Sequence, residues 1–332
     1  MRFLSRFILS LLLLLCLSCG NNDTPSTNPL KQWLQDNGKL KVLSTTCMVS
    51  DLVEQIGRDH IDNITLIGYQ LDPHSYQLVK GDSEKLQFAN VIFYSGLGLE
   101  HGPSLHQQLK NTPKAVAVAD AVAEAFPDQI LNYDGQVDPH IWMDISLWMQ
   151  TIPQITKTLS EQDPAHAKIY RANAEELMRE MKHAHKTARE ILQQVPDQKR
   201  FLVTSHDAFN YFARAYMATK EEVENGDWNK RFQAPEGLAP ESQLSSSDIQ
   251  FILDHLMKYQ IHVIFPETNV SRDSIRKIVE AARGNGLEVT IADVALYGDA
   301  MGKPGSGAES YLDMILTNAK ILNEHLNGQS VE

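Results

Sequence analysis

The tripeptide Asp-Pro-His occurs twice in this chain, ending at His74 and at His140, and a third histidine, His206, follows the apolar run FLVTS. Neutral imidazole is the commonest ligand for zinc and also suits iron, copper and nickel. Three neutral donors leave the charge of a divalent ion unbalanced, so an anionic fourth is needed. Glu267, Asp293 and Asp299 are the candidates late in the chain, and spacing alone does not choose among them. Proline before His74 and before His140 fixes the chain direction into each ring and lowers the entropy lost when the side chain is held. The three histidines are equally spaced, but His206 lacks the Asp-Pro that precedes the other two, so the spacing is chance and not a repeat.

The elements that position these residues are α/β in grammar. KLKVLSTT, NITLIG, NVIFYSG and KAVAVAD read as strands, with MVSDLVEQIG and GDSEKLQFA as intervening helices, the latter capped by Asp82 or Ser83. The alternation returns after residue 198 with KRFLVTS, a helix from Asp207, IHVIFPE, SRDSIRKIVEAARGNG and LEVTIAD. Such alternation predicts parallel βαβ units in two lobes. His74 and His206 then fall beyond the carboxyl ends of strands, where open α/β sheets present their ligand crevices.

Between the lobes, Asp163 reads as an N-cap with Pro164 at the first helical position, and no further proline occurs until Pro196. Tyr170, Ala174, Leu177, Met181, Ala184, Ala188, Ile191 and Val195 recur at steps of four and three, a continuous apolar seam. This predicts one connecting helix over 163–196, about 32 residues and roughly 48 Å long. Its small alanines favour packing within the chain over a coiled-coil dimer, hence a monomer. The lobes are expected at 38–162 and 197–332.

Arg2 and Arg6 precede an apolar run over 7–17 that is too short to span a bilayer, so residues 1–19 read as a signal for export. Ser18-Cys19 resembles a lipoprotein cleavage site, with ordinary signal cleavage as the alternative; residues 20–37 read as a flexible polar tether. Export places the mature chain in the periplasm or elsewhere outside the cytoplasm. Once the leader is gone only Cys47 remains, as a small buried residue, so no internal disulfide is available. A net charge of −12 excludes nucleic acid as a partner, which demands a basic stripe. His183 and His185 lie off the seam and read as solvated surface; His101 and His106 flank Gly102 and Pro103 in a loop and read as surface, with a role in shepherding ions as the alternative. Residues 219–247 read as a long charged loop.

Several ordered segments carry a resemblance: LDPHSYQLVKGDSEKLQFANVIFYSGLGLE, DPHIWMD, FLVTSHDAFNYFARAY, GLAPESQLSSSDI, IFPETNVSRDSI, LYGDAMG and YLDMILTNAKIL. From about residue 38 to 327 the chain resembles the TroA-like solute-binding proteins of bacterial ABC importers for manganese, zinc and iron. The resemblance implies two α/β lobes joined by one backbone helix, a single metal ion in the cleft between them, and a membrane permease as partner. It also implies His74 and His140 as first-lobe ligands and His206 and Asp299 as second-lobe ligands, with Glu267 as second choice for the carboxylate. Four protein ligands make a closed site without a position for a reacting water, suited to binding and not to catalysis.

The metal is less sharply marked. Manganese-specialised members often place Glu where this chain has His206, and a third imidazole moves preference toward zinc or iron(II). Many zinc-specialised members carry a His-rich loop, yet residues 102–136 contain only His106. Some members with three histidines and one aspartate, chlamydia-type ones included, are linked to iron. Two other classes stand beside the import reading: a surface adhesin, and a zinc hydrolase with Glu267 as general base. The second is disfavoured by the lack of a His-Glu-x-x-His motif.

Overall fold

The computed structural model describes residues 29–133, 135–239 and 244–328. The expected signal segment, Cys16, Cys19 and residues 20–28 of the tether lie outside the described residues. Within the expected tether, Pro29–Trp33 forms a short helix instead of coil.

Four parallel strands build the first lobe: β1 (Leu40–Ser44), β2 (Ile61–Thr65), β3 (Val91–Tyr94) and β4 (Ala115–Ala117), in the order β2-β1-β3-β4. Their apolar runs are buried by helix Cys47–Gly57, whose first turn is capped by Thr46 accepting the Val49 N–H. The helix Asp82–Phe88 starts one residue earlier than a cap at Asp82 requires. Gly81 takes the N-cap position, while the Asp82 carboxylate accepts from Tyr76, Val79 and Lys85.

In the second lobe the pairing segments are only two residues long: β5 (Leu202–Val203) with β6 (Phe232–Gln233), and β7 (Val263–Ile264) with β8 (Thr290–Ile291), each pair parallel. The Phe265 N–H donates to the Val203 carbonyl at 2.9 Å and links the two pairs. Helices Ser246–Tyr259 and Asp273–Gly284 cover them with an apolar cluster built around Val203, Ile252, Ile264 and Ile278. β6 lies inside the segment expected to be an unbroken loop over 219–247, as do the helix Lys220–Asn225 and the start of the helix at Ser246. The helix expected from Asp207 begins at Asn210 and widens into a π-helical turn over Ala213–Met217.

The connecting helix spans Ala167–Leu192, 26 residues, after a 3₁₀ turn at Pro164–His166. It starts later than expected because Asp163 does not cap it, and it ends at Leu192, short of Pro196. The Asp163 carboxylate instead accepts from Tyr170 Oη at 2.6 Å and contacts His166 Nδ1 at 2.7 Å. The seam is buried as expected except at Ile191, whose place is taken by Leu192. The helix packs on Cys47–Gly57 and Ile152–Gln162 of the first lobe and on Ala213–Met217 and Tyr311–Asn327 of the second. One hydrophobic core therefore runs from Val42 to Leu326 through both lobes.

Candidate metal centre

Both Asp-Pro-His segments fold the same way, which explains their repetition. In each, the aspartate two residues earlier accepts the histidine's backbone N–H: Asp72 Oδ1 from His74 at 2.8 Å, Asp138 Oδ1 from His140 at 2.9 Å. The proline between them has no N–H to compete and holds φ for the turn. His74 sits in the loop after β2, His140 at the head of the 3₁₀ turn Ile141–Met143, and His206 three residues past β5. Asp299 lies in the loop that follows β8.

These four side chains converge. His74, His140, His206 and Asp299 are buried, and each offers one ligand atom such that all four atoms lie within 4.8 Å of one another. His74 Nε2 and His140 Nε2 are 3.2 Å apart; Asp299 Oδ2 is 3.1 Å from His206 Nε2 and 3.7 Å from His74 Nε2; Asp299 Oδ1 is 3.5 Å from His140 Nε2. Ligand atoms around a tetrahedral ion with arms of 2.0–2.1 Å stand ~3.3 Å from one another. The contacts of 3.1 to 3.7 Å are close to that edge, with Asp299 meeting His74 and His206 through Oδ2 and His140 through Oδ1.

The other faces of two rings are governed by carboxylates. Asp138 Oδ1 accepts the His140 Nδ1–H at 2.7 Å, leaving a bare lone pair on Nε2. Asn210 Nδ2 donates to Asp138 Oδ2 at 3.0 Å and Tyr211 Oη to its carbonyl at 3.0 Å, so the second lobe steadies the residue that orients His140. Glu267 Oε2 lies 2.7 Å from His206 Nδ1, at too oblique an angle for a formed hydrogen bond, while Oε1 accepts the N–H groups of Ser205 and His206. Glu267 therefore stands behind His206 and outside the four-atom cluster. Asp293 is exposed and pairs with His325 at 3.2 Å, away from the other candidates.

Close packing sets the Asp299 loop. A Cβ on Gly298 would stand 2.5 Å from Glu267 Oε2, so only glycine lets this backbone pass the carboxylate. The Gly298 carbonyl accepts from Trp142 Nε1 at 3.0 Å, and the Trp142 carbonyl from Tyr311 Oη at 2.6 Å. Asp138, Glu267, Asn210 and Trp142 escaped assignment as positioning residues in sequence. The one available signal was the aspartate repeated two places before each histidine.

The charges are balanced without solvent. Burial drives His74 well below the ordinary imidazole value despite the pull of Asp299. Burial acts on His206 in the same sense, but the Asp299 and Glu267 carboxylates outweigh it and hold His206 well above that value. Burial opposes the charge on Asp299, yet His206, then His74 and His140, keep its carboxyl far below the usual range. Even so, His206 Nδ1 and Nε2 and Asp299 Oδ1 are buried without a hydrogen-bond partner. Native structures rarely leave such atoms orphaned; a cation among the three Nε2 atoms would satisfy His206 Nε2 and Asp299 Oδ1, while His206 Nδ1 faces Glu267. The remaining histidines differ: His183 is exposed, whereas His185, expected at the surface, is half-buried against Tyr216 with Asp144 3.4 Å away. Cys47 is buried, its Sγ accepting the Met301 N–H at 3.1 Å and its thiol pushed up to about 11 by burial.

The sequence profile described as "Zinc-uptake complex component A periplasmic" matches residues 42–325. The chain is 37% identical over 296 residues to metal-binding protein YtgA of Chlamydia pneumoniae, which covers 89% of this chain and 88% of that protein. It is 35% identical over 291 residues to the manganese-binding lipoprotein MntA of Bacillus subtilis (strain 168), 87% of this chain and 90% of that one. The crystal structure of Fe(III)-bound YtgA from Chlamydia trachomatis matches the fold with a TM-score of 0.81 at 33% identity, over 89% of this chain and all of that one. With the profile spanning both lobes and the long helix between them, this chain belongs to the ZnuA family of periplasmic metal-binding proteins.

Proposed function

We propose that this chain is the extracytoplasmic binding component of an ABC importer, which captures one transition metal ion as cargo and presents it to a membrane permease. His74, His140, His206 and Asp299 are its ligands in this reading. The observation that carries it is the pair of buried atoms without a hydrogen-bond partner, His206 Nε2 and Asp299 Oδ1, in a cluster whose four ligand atoms lie within 4.8 Å of one another. The relatives' names attach to manganese and Fe(III), and the family description to zinc. Three nitrogens and one oxygen favour zinc or iron over manganese here.

The same reading takes residues 1–19 as the export signal, 20–37 as a tether, 38–162 and 197–332 as the lobes and 163–196 as the connector. Cys19 is the proposed lipid attachment point, and the mature protein acts as a monomer. No described helix is long and apolar enough to cross a membrane. A hydrolase needs Glu267 as a base facing the ion, and its engagement with Ser205 and His206 counts against that role.

The experiment is to strip the protein of metal and titrate manganese, zinc and both oxidation states of iron, anaerobically for iron(II), alongside Asp299→Ala and His206→Ala. One tightly held ion per chain, lost in both variants, is the expected result. Failure of all of these ions to bind stoichiometrically overturns the import reading.

A further inference from the structure

A fourth imidazole extends the buried cluster to the surface. The His101 ring centroid is 5.4 Å from that of His74, within the range of 5.2 to 6.2 Å that separates the three site rings from one another. His101 is exposed, whereas His74 is buried. Its Nδ1 lies 3.2 Å from the Gly98 carbonyl, which can only accept, so the proton sits on Nδ1 and Nε2 keeps a free lone pair. Among the described residues Nε2 makes no hydrogen bond and no carboxylate pairs with the ring.

The loop that carries His101 is built against the loop that carries His74. A Cβ on Gly102 would run into the Tyr76 carbonyl oxygen, so glycine permits the contact. Ser104 Oγ accepts the Leu78 N–H at 3.2 Å and donates to Gln77 Oε1 at 3.1 Å. The buried Glu100 carboxylate anchors the same loop to the end of the sheet, accepting from Thr45 Oγ1 at 2.6 Å and from the Ser95 N–H at 2.7 Å. His74, in turn, is the site histidine without an orienting carboxylate: Asp72 holds its backbone and Ser75, and among the described residues its only charged partner is Asp299, through Nε2. It is the ligand freest to turn outward.

We propose that His101 is an outer capture ligand: through Nε2 it takes a hydrated divalent transition ion at the surface and hands it to His74. One bound water leaves as each imidazole nitrogen enters, and His101 is released as the ion reaches the buried set. This rests on the metal-binding reading of that set and adds a kinetic step to it.

Stopped-flow mixing of metal-free protein with Zn²⁺, followed with a fluorescent chelator, tests it in the wild type, His101→Ala, His101→Cys and His106→Ala. Association and dissociation in His101→Ala are each expected to slow by about tenfold, inside the one to three decades over which variants of one site move. Their ratio and the stoichiometry stay at wild-type values, His101→Cys restores the rates with a second zinc-binding side chain, and His106→Ala changes nothing. Unchanged association in His101→Ala, equal slowing in His106→Ala, or loss of the bound ion in His101→Ala overturns the proposal. A wild type that binds no ion overturns the reading of the buried cluster itself, a different result from loss of the rate effect alone.

Discussion

Two carboxylates act on the proposed site without belonging to it. Asp138 fixes the tautomer of His140 through a 2.7 Å contact, and Glu267 stands at the same distance from His206 Nδ1. Removing such a partner typically costs 10- to 100-fold in metal affinity. Asp138→Asn and Glu267→Gln are therefore expected to weaken Zn²⁺ binding by about that factor, with one ion per chain retained at saturation. Asp72→Asn, whose carboxylate touches only backbone and Ser75, should weaken it by less than about tenfold. Competition titration against a chelator of known affinity checks all three, and equal losses in Asp72→Asn and Asp138→Asn would remove the distinction drawn between them. The duplicated Asp-Pro-His was legible because both its function-bearing ring and its turn-forming aspartate are written within three residues. The role of Glu267 was not, because it depends on how two loops more than sixty residues apart approach one another, and a carboxylate beside a histidine reads the same whether it faces an ion or a ring nitrogen.

Helices and strands were legible where local pattern decides them. The seam on the connecting helix required only its own period, and seven of its eight expected positions are buried. Ala188 lies in that seam with no exposure, so Ala188→Leu must displace neighbours and should destabilise by 1–3 kcal/mol, the usual cost of overpacking, roughly. Lys186→Leu, on the exposed side of the same helix, should stay within about 0.5 kcal/mol. Denaturant midpoints with unchanged slopes distinguish the two. β6 was hidden because its ladder is two residues long within a charged segment, and the π-helical turn over Ala213–Met217 has no marker in ARAYM. On helix Ser246–Tyr259, His255 packs against Phe201 and Tyr259, and burial, aided by Lys258, lowers it from 6.5 to about 4. The unfolded chain then binds the proton more readily than the folded one between those values, so stability falls as pH drops from about 6.5 to about 4. His255→Phe keeps the ring and abolishes this titration. The acid loss of stability measured on metal-free protein should shrink in the variant by up to about 3 kcal/mol; an identical pH profile would show that the ring is not held neutral.

At the scale of the whole molecule, the question is how far the lobes can part to admit an ion. Opening them widely would expose the core that continues through the connecting helix and would break the Trp142–Gly298, Tyr211–Asp138 and Asn210–Asp138 bonds. Those bonds, each between groups distant in sequence, tie the proposed first-lobe ligand His140 and the proposed second-lobe ligand Asp299 to the opposite lobe. A large hinge is thus expensive, and ion capture is left to small loop and helix shifts, of the order of 1–2 Å. Binding should then show in stability more than in shape. With free Zn²⁺ at a hundredfold excess over its Kd, the folded state gains about 2.7 kcal/mol, and His206→Ala should gain almost none at the same concentration. Spin labels on the exposed Lys157 and Lys258, one in each lobe, should move by less than about 2 Å between the metal-free and loaded protein. A stabilised protein whose label distance shifts by many ångströms would mean that the shared core yields as a hinge, and that the long helix bends or slides where its packing argues it should hold.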